Sequence, residues 1–146
     1  MDWYKEDHFQ CSTENQHIFF LKSELYKFEV HDLFLDGTFH LVKNQSEYCQ
    51  IYIISILYSE NNGTFSYPIC FSLMRNKFTS TYSELFNVIN HNFYEQFGRE
   101  LSPTVFRIDC ESAVVRSIKE VYGPSAKIGL DQTVPNFDDT VHYTQL

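Results

Sequence analysis

The strongest constraint on the fold is a carboxylate at the centre of an apolar strand, Leu33-Phe34-Leu35-Asp36-Gly37-Thr38-Phe39-His40-Leu41-Val42. Leu33, Leu35, Phe39 and Leu41 fall on one side of a period-two pattern, and Phe34, Asp36, Thr38 and Val42 on the other. A charge amid apolar side chains is costly to bury unless it is paired, bound to a metal or open to a cleft. Gly37 leaves the backbone uncovered beside it, as expected where a ligand or another chain approaches closely. The plain alternative is a turn aspartate followed by a permissive glycine.

The rest of the chain supplies partners for this strand. Residues 1–17 are polar, without sustained period, and read as a loosely held arm. Ile18-Phe19-Phe20-Leu21 is a short apolar run with strand character, and Ser23 can cap a short helix from Glu24 to about Glu29. Lys43 to Tyr48 is a polar connection. Cys49 to Tyr58 is almost continuously apolar and rich in β-branched residues, the pattern of a central strand covered on both faces. Glu60-Asn61-Asn62-Gly63 is a hairpin signal, and Phe65 to Met74 returns as the third strand of an antiparallel set.

The periodicity then changes. Thr81-Tyr82-Ser83-Glu84 has the form of a capping box, and Tyr82, Leu85, Phe86, Ile89, Phe93 and Phe97 make one apolar stripe of a helix closed by Gly98. Thr104 to Asp109 is a strand ending on a carboxylate. Glu111 to Tyr122 is a second amphipathic helix, stopped by Gly123-Pro124. Ala126 to Leu130 begins a further strand, and residues 131–146 show no period and read as an irregular tail. Hairpins first and helical crossovers after give an α/β fold with a mixed sheet flanked by helices. The strand at 104–109 reaches the sheet by a helical crossover, so it runs parallel to one of the first three. Beside the strand of Asp36, its backbone would lie about 4.8 Å away. Asp36 and Asp109 would then face one another at one end of the sheet and share one divalent cation, and hard oxygen ligands suit Mg²⁺.

Composition narrows the function classes. The 146 residues carry 11 Lys plus Arg against 19 Asp plus Glu, a net charge of −8, and the basic residues are scattered. Phosphate-backbone binding needs clustered cations, so DNA is held weakly at best by this chain alone. The cysteines Cys11, Cys49, Cys70 and Cys110 have no zinc-type spacing; three of them lie in apolar strand-like runs and read as small buried hydrophobes, and a reduced, intracellular setting fits. No signal-peptide core opens the sequence, and no apolar run approaches the roughly 20 residues of a membrane span.

An ordered set of motifs carries a resemblance. Asp36-Gly37-Thr38-Phe39, Gln50 before an apolar strand, Tyr67-Pro68 leading into Ser72-Leu73, then Lys77, Tyr82 and Asp109-Cys110-Glu111 opening a helix, together resemble the Mutator-like (MULE) transposase domain. That family is a branch of the DDE transposases with a ribonuclease-H-like core. The likeness spans about Phe19 to Ile128, within a core placed at residues 18–130. It implies a ribonuclease-H-like mixed sheet, three antiparallel strands followed by parallel ones, and phosphoryl transfer on DNA that depends on Mg²⁺ or Mn²⁺. It makes Asp36 and Asp109 catalytic, metal-binding carboxylates. Glu111 belongs to the same motif and is a further candidate ligand; otherwise it is an acid at a helix N-terminus, favourable toward the dipole. Gln50, Lys77 and Tyr82 match the family pattern and read as structural.

The departures shape the expectation. In the family a Cys and His pair, a long helical insertion and a third carboxylate on a late helix follow. Here Gly129-Leu130-Asp131 stands where the Cys-and-His segment should begin, and Asp131, Asp138 and Asp139 lie on no helical pattern. The chain is therefore expected to be a C-terminally truncated fragment of a transposase, inactive alone. The alternative is a catalytically silent, transposon-derived module that binds a partner protein. Implied partners are DNA in the complete enzyme, a second copy or another transposase chain, and no membrane; the implied location is nuclear.

Overall fold

The computed structural model describes residues 8–21, 32–38, 47–109 and 111–130. The expected helix at 24–29, the end of the organising strand at 39–42, Cys110 and the tail at 131–146 lie outside the described residues. Among those described, the strands are β1 (His8–Ser12), β2 (Gln16–Leu21), β3 (Asp32–Thr38), β4 (Gln50–Glu60), β5 (Gly63–Met74), β6 (Val105–Ile108) and β7 (Ile128–Leu130). The helices are α1 (Thr79–Phe97), between β5 and β6, and α2 (Ser112–Tyr122), between β6 and β7. The fold is α/β, with all seven strands in one mixed sheet ordered β1-β2-β5-β4-β3-β6-β7. Its antiparallel part runs from β1 to β3, and β6 and β7 add in parallel.

Alternation along the strands decides which face carries the helices. Leu33 and Leu35 of β3, Tyr52, Ile54 and Ile56 of β4, Cys70 and Met74 of β5, and Phe106 and Ile108 of β6 are buried on one face. Both helices cover that face. From α1 the expected stripe of Tyr82, Leu85, Phe86, Ile89 and Phe93 is buried, with Phe97 packed at its end. From α2 come Val114 and Ile118, while Tyr122 stacks on Phe106 with ring centroids 4.7 Å apart. Gly98 ends α1 in the left-handed region at φ 65°, its N–H bonding the carbonyl of Tyr94. The other face is half-buried at Phe34, Ile51, Ile53, Phe71 and Leu73, so β4 is less enclosed than its apolar run suggests.

Local chemistry explains where the elements meet. Asn61 and Asn62 both take positive φ, 47° and 68°, so a two-residue turn joins β4 to β5 with Glu60 opposite Gly63. Pro68 lies where the β4–β5 register shifts and beyond the last β5 residue paired with β2, so its missing N–H is tolerated. Two sequence expectations change. His8–Ser12 forms β1 where an arm is expected: without an apolar period, this edge strand is held by backbone pairing, as at Cys11 opposite Ile18. The capping box is not used, because α1 already begins at Thr79. Asn76 Oδ1 instead accepts from the Phe78 N–H (3.2 Å) and the Thr81 hydroxyl (2.5 Å). Glu84 accepts from Thr13 and Gln16, which fastens α1 to the β1–β2 hairpin.

One ion pair fixes the placement of β6. Arg107, 4% exposed, donates from Nε (3.2 Å) and Nη2 (3.0 Å) to Asp32 Oδ2 across the β3–β6 boundary. Gly129 on β7 lies beside the guanidinium, where a Cβ would make ordinary contact with Nη1 at 3.6 Å. Removing the carboxylate of such a pair strands a buried charge, whereas removing the cation does not. Asp32→Ala should therefore lower stability by about 3 kcal/mol, and Arg107→Met by clearly less, as read by urea denaturation.

Candidate carboxylate site

The site lies at the C-terminal ends of β3 and β6, where their parallel pairing stops. Leu35 is opposite Ile108 in the last registered pair, so one further residue on each chain sets Asp36 beside Asp109. Asp36 is half-buried on the face away from Leu35, and Asp109 is exposed. Burial, then the charge of Asp109, push the Asp36 carboxyl above its ordinary value of 3.8, against the opposing effect of the Gly37 backbone hydrogen bond. The charge of Asp109 thus acts on the Asp36 carboxyl.

Gly37 has an internal reason. A Cβ on it would stand 2.5 Å from Gln50 Oε1 and 3.4 Å from Tyr52 Cδ2. Gln50 is fully buried and cannot swing away, because its Nε2 donates to the Tyr82 hydroxyl (2.8 Å) and lies 3.1 Å from Met74 Sδ. Close approach by the chain's own side chain, rather than by a ligand, makes the glycine necessary.

From Gln50 a polar chain leads to the third acid. The Tyr82 hydroxyl donates to Glu111 Oε1 at 2.7 Å. Glu111 is the N-cap of α2, yet its side chain makes no capping bond; it turns to Tyr82 instead. Burial and the Glu111 bond push the Tyr82 phenol well up, so it stays a donor. Gln50 and Tyr82 therefore have the structural role read from sequence, and they tie β4, α1 and α2 together beneath the acids. Lys77 is exposed, and its charge acts on Cys49.

Sequence reasoning missed a buried phenol on the helix-covered face behind Gly37. Tyr52 is opposite Gly37, fully buried, and its ring meets that of Tyr82 edge-on with centroids 5.1 Å apart. Its hydroxyl has no hydrogen-bond partner. The only available signal was a tyrosine inside the apolar run of β4. Of the cysteines, Cys70 is a buried free thiol and Cys11 and Cys49 are half-buried free thiols.

The arrangement offers hard oxygen donors. Mg²⁺ uses only one or two protein carboxylates and keeps several waters, which suits Asp36 with Asp109. Among the described residues no three His, Cys, Asp or Glu side chains converge as a metal-holding group, so Glu111 borders the pair without completing a triad. A cleft of about 690 Å³ opens at the opposite end of β6, lined by His91, Tyr94, Glu100, Thr104, Tyr122 and Lys127 among others. It is remote from the acids and brings no such convergence of charge. No helix among the described residues is long and apolar enough to cross a membrane. Set against known proteins, the chain matches no family model and no curated protein.

The raised Asp36 pKa gives a pH test with a definite sign. The folded chain holds this proton more tightly than the unfolded chain, so stability is lost as pH rises from the ordinary value of 3.8 through the folded value. Asp36→Asn removes that loss. In metal-free buffer the variant should melt above the native chain at pH 7, with the gap closing below about pH 4.

Proposed function

We propose that this chain is a ribonuclease-H-like core of the Mutator-like transposase kind, with Asp36 and Asp109 holding Mg²⁺ or Mn²⁺ for phosphoryl transfer on DNA. The observation that carries the reading is the parallel β3–β6 pairing, which brings the two aspartates to the same end of neighbouring strands. The strand order supports it: β5, β4 and β3 run antiparallel, and β6 and β7 follow in parallel, as the resemblance implies. The donor chemistry fits as well, since two mutually repelling carboxylates are relieved by a shared cation. A bound divalent ion would polarise a phosphoryl oxygen and lower the pKa of a coordinated water. Asp36 and Asp109 would supply the ligating oxygens, and Glu111, held by Tyr82, would add negative charge beside them.

Acting alone, the chain is a binder of metal rather than a cutter of DNA. Two observations favour this second element of the proposal. The described acids supply a pair rather than a converging triad, and phosphoryl transfer depends on a fully ligated, positioned cation. The net charge of −8 repels a phosphate backbone. A second copy or another transposase chain is the partner that this reading assigns, and a silent module that pairs with another protein is the competing one.

Thermal unfolding with and without millimolar Mn²⁺ tests the metal site by mass action. The melting temperature should rise for the native chain and stay fixed for the Asp36→Asn/Asp109→Asn double variant. A nicking and strand-transfer assay with Mn²⁺ should show no product. Metal-dependent cleavage abolished by Asp36→Asn would overturn the inactive state, and an equal Mn²⁺ shift in the double variant would remove the site.

A further inference from the structure

Among the described strands β1 and β7 form the edges of the sheet, and they are protected unequally. β7 has three residues with Gly129 at its centre, which gives another strand little to pair with. β1 has five, His8-Phe9-Gln10-Cys11-Ser12. It carries no Lys, Arg, Asp, Glu or Pro, and its register with β2 runs without a bulge. Charges, prolines and bulges are what commonly keep an edge from pairing, and β1 has none of them. The hairpin bond from the Thr13 N–H to the Gln16 carbonyl sets the phase of the ladder. Antiparallel pairs alternate between hydrogen-bonded and non-bonded. The backbones of Phe9 and Cys11 therefore bond inward to Phe20 and Ile18, and the N–H and C=O groups of His8, Gln10 and Ser12 point away from the sheet. On the helix-covered side an open groove of about 680 Å³ runs beside the strand, lined by Cys11, Glu84, Asn87, Val88 and His91 among others, and leaves approach to β1 free from that side.

We propose that β1 is a homodimer interface: the β1 strands of two copies pair antiparallel about a two-fold axis at Gln10 and join the two sheets into one. The outward residues are spaced evenly about Gln10, so a reversed copy of the same strand matches every donor with an acceptor. Gln10 meets the second copy's Gln10, and His8 meets the second copy's Ser12. Charge favours the same place. Two chains of net charge −8 repel one another, and they approach closely only where neither presents an acid, as along β1. Such a two-fold stands perpendicular to the sheet, so both helix layers fall on one side of the joined sheet. β2, β5 and β4 lie between β1 and β3, which keeps Asp36 clear of the interface. The inference rests on the second copy as the partner in the proposed function, and it is independent of the metal site.

Sedimentation over a concentration series should show a reversible monomer–dimer equilibrium for the native chain. Gln10 is exposed, so its replacement leaves the fold of each copy intact. Gln10→Cys sets two thiols directly opposite one another with Cα atoms about 5.5 Å apart, within disulfide reach. Mild oxidation should link this variant into covalent dimers. The native chain, with Cys11 off the axis, and Ser12→Cys, further from it, should not link. Gln10→Lys places like charges opposite one another and should weaken the dimer about fivefold. Gln10→Pro removes an outward N–H without touching the β1–β2 ladder and should sediment as a monomer. A native dimer in which Gln10→Cys fails to link and Gln10→Pro associates as the native chain does would overturn the β1 interface, while a second copy stays the partner. A native chain that is monomeric at every concentration would overturn the second copy as partner, and this inference with it.

Discussion

Backbone hydrogen bonds hold β6 parallel to β3 from Asp32 opposite Val105 to Leu35 opposite Ile108, and the candidate chemistry depends on that pairing. Paired strands lie about 4.8 Å apart, so residues one step past the last pair are neighbours by construction. A one-residue slip would turn every side chain of β6 to the other face. Two features prevent it. Phe106 and Ile108 must meet the helix-covered core, and Arg107 between them must reach Asp32 on the opposite face. Apolar alternation and a buried ion pair thus specify the same register, and the positions of Asp36 and Asp109 follow from it.

Much of this was legible because each signal had a local cause. The β4 run, the Asn61-Asn62 turn and the α1 stripe each announce an element through period or backbone preference. The crossover through α1 then requires β6 to be parallel to an earlier strand. What escaped the sequence lacks a local signature. β1 has no apolar period, because an edge strand is held by pairing with β2. The capping box at Thr81 is not used because the helix starts three residues earlier, with Phe78 at the N-cap, and the Thr81 hydroxyl donates to Asn76 instead. Glycine 37 was legible as a close approach, but not by whom; only the fold brings Gln50 to it. The Tyr52 hydroxyl was invisible, since tyrosine in an apolar run reads as bulk until its polar tip is found without a partner.

The site is electrostatically incomplete in an informative way. Two carboxylates repel one another, and a third is held nearby by Tyr82. Asp36, Asp109 and Glu111 gather where β3 and β6 end, while Arg107 answers Asp32 at the other end of the same strands. Divalent cations bound by hard oxygens relieve this kind of imbalance. A polar chain from Gln50 through Tyr82 to Glu111 fixes that third acid to the core.

The most direct test of this account is a crystal of the chain grown with Mn²⁺ and measured at the manganese absorption edge. The account predicts an anomalous peak bonded to carboxylate oxygens of both Asp36 and Asp109. A map without a peak at the ends of β3 and β6, or one in which the two carboxylates point to opposite faces of the sheet, would contradict it.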